Sequence, residues 1–164
     1  MSDNTQHFRH STLRERIVEH VMVGELLRHF WRRGIVDVEI LRSEFDGFGY
    51  DVVLARGRIV RHVQFKTGTQ KKPGKVSIAQ ALSHKPSGCV IWISVDDDLN
   101  LGPYYFFGSA PGEPLPDISG MKNPKRPTHN KLGERPFRQN HREVPGAKLR
   151  KIDNLDGIAE ALFG

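Results

Sequence analysis

Three polar side chains have the types and spacing to handle a phosphate: Asp51 in GYDVVL, and Gln64 and Lys66 in VQFK. The runs around them, YDVVLA and RIVRHVQFKTG, read as two strands joined by a tight hairpin at Arg56-Gly57. Facing residue numbers then sum to ~113, which sets Asp51 opposite His62 and diagonal to Gln64. Strand parity puts Asp51, Gln64 and Lys66 on one face. A carboxylate and an amide oxygen are hard donors that favour magnesium or manganese over softer metals. The Lys66 ammonium can orient or deprotonate an attacking water and offset charge developing on a phosphate, while a metal polarises the phosphoryl oxygen. Phosphodiester hydrolysis is the chemistry these parts suit.

The surrounding elements must hold that hairpin. Residues 12 to 33 read as one helix, with Thr12 or Ser11 as N-cap and Gly34 as the stop. Apolar residues cover most of its circumference, so it is substantially buried. At ~100° per residue Glu25 shares the arc of Val18, Val21 and Met22, whereas Glu15 and Glu19 fall elsewhere. A carboxylate pointing inward needs a partner or a purpose. Val36, Val38 and Ile40 alternate with Asp37 and Glu39, the pattern of a strand that completes an antiparallel meander with the hairpin. VSIAQALSH is a short helix candidate, and CVIWISV, apolar on both faces, belongs in the centre of a sheet. YYFF at 104–107 reads as an edge strand. The predicted class is α/β: a mixed sheet, three-stranded antiparallel meander plus central strand, flanked by helices.

Residues 110–147 form a Pro/Gly-rich basic stretch read as a long loop or flexible arm, carrying Lys122, Lys125, Arg126, Lys131, Arg135, Arg138 and Arg142. Residues 152–163 follow as an amphipathic helix suited to docking on the sheet. A chain of 164 residues suits one domain. The net charge of +6 favours a polyanionic partner. No apolar run reaches the ~20 residues of a membrane span, and the polar N-terminal stretch is not a secretory signal but a leader into the first helix. The single cysteine, Cys89, excludes an internal disulfide and a zinc site of paired thiolates, and reads as a buried strand residue. A cytoplasmic location is the expectation.

GYDVVL followed by VQFK, set in the order helix, three-strand meander, helix and strand, resembles the PD-(D/E)xK nuclease superfamily, whose fold is called restriction-endonuclease-like. The resemblance covers residues 12–108. It implies Asp51 as metal ligand, Lys66 as catalytic lysine and Gln64 at the middle position, usually Glu or Asp. The QxK replacement is similar to the branch of Mrr-type restriction enzymes. An amide there brings no formal charge to the metal. The resemblance further implies metal contacts from the Phe65 carbonyl and from Glu25 as the first-helix acid, with Gln80 as a polar helix residue near the site. On this reading the chain is a magnesium- or manganese-dependent endonuclease cleaving DNA. The basic residues of 121–142 grip the backbone, and specificity comes from a homodimer or a protein partner. The competing reading is a catalytically inactive nucleic-acid-binding or interaction module of the same fold.

Other patterns lose. His129-Asn130 and Asn140-His141 share letters with HNH nucleases, but no hairpin and helix positions them around a metal. The serines lack a nucleophile elbow, and GFGY and GTQKKPGK lack the strand, loop and helix of a phosphate-binding loop.

Overall fold

A computed structural model describes residues 8–164. The N-terminal leader, residues 1–7, lies outside the described residues. Helix α1 spans Ser11–Arg32 and is followed by β1 (Val38–Arg42), β2 (Val52–Arg56), β3 (Ile59–Gly68), β4 (Lys75–Ala79), β5 (Gly88–Val95), β6 (Leu101–Gly108), β7 (His141–Pro145), β8 (Arg150–Ile152) and helix α2 (Leu155–Phe163). Six strands form one sheet in the order β1-β2-β3-β5-β6-β8, and β4 pairs with β7 in a second sheet.

The meander is as expected: β1, β2 and β3 are antiparallel neighbours, and β5 runs parallel to β3. Every residue of β5 is buried, which fits its place between β3 and β6. Cys89 is fully buried there, and burial pushes its thiol up to about 12. β6 is not an edge strand, because the short β8 pairs with its outer side. Three residues are too few to show a strand period in sequence.

Both helices cover the same face of the large sheet. Val18, Met22, Leu26 and Phe30 of α1 pack with Ile158 and Leu162 of α2 over Val52, Val63, Ile91 and Ile93. α1 ends as predicted: Gly34 has φ +70°, its N–H donates to Trp31 and that of Ile35 to Phe30, which satisfies two terminal carbonyls. Its start differs. His10 occupies the cap position and makes no side-chain cap bond, so neither Ser11 nor Thr12 is the N-cap. Residues 8 and 9 are already helical, leaving no exposed first turn there for a hydroxyl to cap.

The opposite face carries the main departure from the sequence reading. VSIAQALSH is not an α-helix. It is strand β4 followed by a 3-10 turn, Gln80–His84. Val76 and Ile78 alternate with Ser77, and both apolar side chains pack on Val90 and Trp92 of β5. Their partner strand, β7, comes from the stretch expected to be a flexible arm. That stretch is folded: Leu115, Ile118 and Val144 are buried in the same cluster, and Lys125 bridges Phe137. A few well-spaced apolar residues anchor what composition alone marks as loop.

Candidate active site

The hairpin turn is Gly57-Arg58, one residue beyond the predicted position, since Arg56 pairs with Ile59. Gly57, at φ +59°, takes the first turn position, where a side chain would be strained. This shift moves the register so that Val52 faces Val63 and Val53 faces His62. Extended by one residue, Asp51 stands opposite Gln64, not opposite His62. The shift of the facing residue is even, so Asp51, Gln64 and Lys66 still share a face.

β2 ends at Val52, whereas β3 runs on to Gly68. Beyond Val63, therefore, β3 has no strand partner on that side, and its backbone needs another acceptor. Asp51 supplies it: the Phe65 N–H donates to the Asp51 carboxylate at 2.6 Å. The gap opens into a cleft of about 380 Å³ that takes in Asp51, Gln64, Phe65 and Lys66 from the hairpin, with Glu15 and Glu19 of α1 on its rim. Asp46, from the glycine loop before the hairpin, also lines it.

Burial raises the Asp51 carboxyl above the usual carboxylate range, and Glu19 and Asp46 push the same way. The Phe65 N–H and Lys66 oppose them. Lys66 is lowered, first by burial and then by Arg138, against the pull of Asp51, Glu15 and Asp46. Both groups are thus moved toward neutral pH from opposite sides. Gln64 Oε1 is buried and has no hydrogen-bond partner within the protein. A buried acceptor left in this way is costly, and it marks where a cation or an ordered water is needed.

Of the other residues expected here, Glu25 is elsewhere. It is half-buried, pairs with Arg28, and is absent from the cleft. The inward acid of α1 is Glu19, 6% exposed and bound to Arg16 and Arg42. The helix is apolar almost all round, and of the arc Val18, Val21 and Met22 to which the sequence reading assigned Glu25, Val21 is exposed while Val18 and Met22 are buried. The true centre lies on Met22 and Leu26, one step nearer Glu19. Gln80 opens a 3-10 helix and not an α-helix, and it does not line the cleft; its N–H donates to the Asn140 carbonyl. Phe65 takes part through its N–H.

Two residues of the basic stretch, Arg138, expected to grip a nucleic-acid backbone, and His141, set aside as part of an HNH-like pair, stand close to Lys66. Arg138 Nη2 donates to His141 Nε2 at 2.9 Å, and both residues act electrostatically on Lys66 or are acted on by it. A guanidinium has no acceptor, so Nε2 must be the unprotonated nitrogen. Burial and Arg138 accordingly lower the His141 pKa. Lys122, Lys125, Arg126, Lys131 and Arg135 are exposed, whereas Arg142 is a structural staple that donates to the Ser119, Gln139 and His141 carbonyls.

Asp51 and Gln64 offer hard oxygen donors of the kind a magnesium-type ion takes. Among the described residues no three His, Cys, Asp or Glu side chains converge as a metal cage. Magnesium is commonly held by one or two carboxylates together with substrate phosphate and water. Asp51 with the unpaired oxygen of Gln64 meets that requirement.

No protein-family model matches the chain, and no curated protein matches it. Among solved structures it is similar to Hjc, a Holliday junction resolvase from the archaeal hyperthermophile Archaeoglobus fulgidus, with a TM-score of 0.44 and 10% sequence identity over 82% of this chain and 97% of that one.

Proposed function

We propose that this chain is a magnesium- or manganese-dependent endonuclease of the PD-(D/E)xK type, in its QxK form, acting on DNA. One observation carries the reading: Asp51, Gln64 and Lys66 line one partly buried cleft where β2 stops and β3 continues. Asp51 and Gln64 would hold the ion, which when bound supplies positive charge to the phosphate and lowers the pKa of water. Lys66, its ammonium lowered by burial, holds or releases a proton at Nζ beside the attacking water. Arg138, close enough to Lys66 to lower its pKa, meets the phosphate charge. The exposed cations Lys122, Lys125, Arg126, Lys131 and Arg135 neutralise the backbone beyond the cleft. The chain acts as one domain in the cytoplasm, with selectivity from a second copy or a protein partner. Among the described residues no helix is long and apolar enough to cross a membrane.

The absence of a three-acid cluster among the described residues favours a second reading, a binding module without cleavage. Incubation with linear, supercoiled and single-stranded DNA, and with RNA, under magnesium or manganese decides between them. Metal-dependent DNA cleavage that Asp51→Ala and Lys66→Ala both abolish establishes the nuclease. Salt-sensitive binding without cleavage on any substrate establishes the module.

A further inference from the structure

A second cleft, of about 630 Å³, lies on the basic stretch and outside the Asp51 site. Lys75, Lys122, Lys125, Arg135, Phe137 and Glu143 line it. Its cations are not all equivalent. Lys75 is paired with Glu143 at 3.2 Å, so the acid is already answered, and Lys122, Lys125 and Arg135 leave the cleft positive. In their midst Phe137 is 53% exposed, a large apolar ring held in water among charges. Nothing in the core requires it there.

The ring stands on a built support. Lys125 bridges Phe137, and the same ladder is extended by Arg126 N–H to the Pro136 carbonyl and Arg138 N–H to the Pro124 carbonyl. Arg135 Nε donates to the Arg126 carbonyl, and Asn123 Nδ2 lies within bonding distance of the carbonyls of Arg138, Gln139 and His141. The Lys125 ammonium sits over one face of the half-exposed Phe137 ring, 5.5 Å from its centre, so a base would take the other face. An ordered aromatic face with cations around it is what an unpaired nucleotide requires: the base stacks and its phosphate is neutralised. A base inside a duplex has both faces covered by its neighbours. The neighbouring residues also link the two clefts, since Gln139 lines this one while Arg138 acts on Lys66 in the other.

We infer that the Phe137 cleft binds an unpaired nucleotide of single-stranded DNA, its base stacked on Phe137 and its phosphate held by Lys122, Lys125 and Arg135. The inference deepens the nuclease reading by naming an unpaired segment next to the cleavage site as part of the substrate. It is tested on the full chain in EDTA, where cleavage plays no part. Binding of a short single strand, a blunt duplex of the same sequence and the matching RNA is measured by fluorescence anisotropy, with 2-aminopurine in the single strand to report stacking. Phe137→Ala and Phe137→Leu are both expected to weaken single-strand binding by about 5- to 100-fold and to remove the 2-aminopurine quenching. Phe137→Trp is expected to keep both, and duplex binding is expected to change less than twofold in all three. Equal losses for strand and duplex, or wild-type binding by Phe137→Leu, overturn the stacking site. RNA bound more than tenfold tighter than DNA overturns the assignment to DNA. A chain that never cleaves but shows the Phe137 effect loses the nuclease reading and keeps this one.

Discussion

The Phe65 N–H donates to the Asp51 carboxylate across 2.6 Å, joining the residue between Gln64 and Lys66 to the acid that faces them. The bond replaces the strand that β2 fails to provide, so the same carboxylate closes the sheet and opens the cleft. One consequence is that Asp51 works in two capacities that substitution can separate. Asp51→Asn keeps an oxygen for the Phe65 N–H but loses the charge. It is expected to lower metal-dependent cleavage by about 10²- to 10⁴-fold while leaving the far-UV spectrum unchanged. Initial rates beside circular dichroism check this.

Burial makes the charged forms of Asp51 and Lys66 costly, so function and stability conflict here. Lys66→Met is expected to abolish cleavage yet raise Tm by about 2–4 °C, the shift that ~1 kcal/mol gives a chain of this size. Differential scanning calorimetry at neutral pH reads it. An unchanged or lower Tm would mean that the ammonium has adequate partners in the folded chain.

The pH dependence follows from the same directions. Asp51 is raised, so its contribution to stability is fully present below the unfolded carboxylate value and is lost as pH rises through the folded one. Lys66 is lowered, so its contribution is present above the unfolded ammonium value and is lost as pH falls through the folded one. Relative to Asp51→Asn, the wild type is expected to lose stability as pH rises above the ordinary Asp range and then level off. Urea denaturation across pH 3 to 7, an acidic window chosen at about the Asp reference value and above, shows whether it does.

Glu19, not Glu25, faces the cleft. Glu19→Gln is expected to reduce metal affinity or activity by about 10- to 100-fold, as loss of a group beside a metal ligand typically does. Its removal also takes away one of the influences that raise Asp51. The acid limb of the rate profile is therefore expected to move to lower pH. Glu25→Gln, outside the cleft and paired with Arg28, is expected to change neither. Magnesium titrations of cleavage rate distinguish the two positions.

Arg61 is completely buried and donates to the carbonyls of Ala161, Leu162 and Ser109 and to the Ser87 hydroxyl. It therefore ties β3 to the last turn of α2, where terminal carbonyls lack helical partners. Arg61→Met is expected to cost about 3–5 kcal/mol by orphaning those acceptors, measured as a lower urea midpoint. Gln64→Glu is expected to do the opposite at the cleft. The added charge should lower the half-saturating magnesium concentration about tenfold, because ligand charge tunes affinity for hard cations.

Local chemistry made the meander, the buried β5 and the C-terminal helix legible. Alternation in β1, apolar residues on both faces of CVIWISV and the amphipathic spacing near the C-terminus all act within a few residues of themselves, although that helix starts at Leu155 and not at 152, since Ile152 pairs in β8. Grouping Asp51, Gln64 and Lys66 needed only strand parity, which survived a turn misplaced by one residue because the facing position moved by two. Which acid of α1 turns inward was beyond that reach. A helix apolar nearly all round does not disclose its buried centre until a sheet packs against it, and that packing selected Glu19 over Glu25. The same holds for β4 and β7, residues 62 apart at their closest paired positions, Ala79 and His141. Neither is a convincing strand alone, and each is one because the other supplies its hydrogen bonds and the face of β5 supplies its burial. The sequence by itself determined the hairpin that carries Asp51, Gln64 and Lys66, since its period and turn are local. Tertiary structure decided that Glu19, Arg138 and His141 stand near them and that a separate cleft forms at Phe137, since those contacts form only when distant segments bury their apolar sides against one sheet.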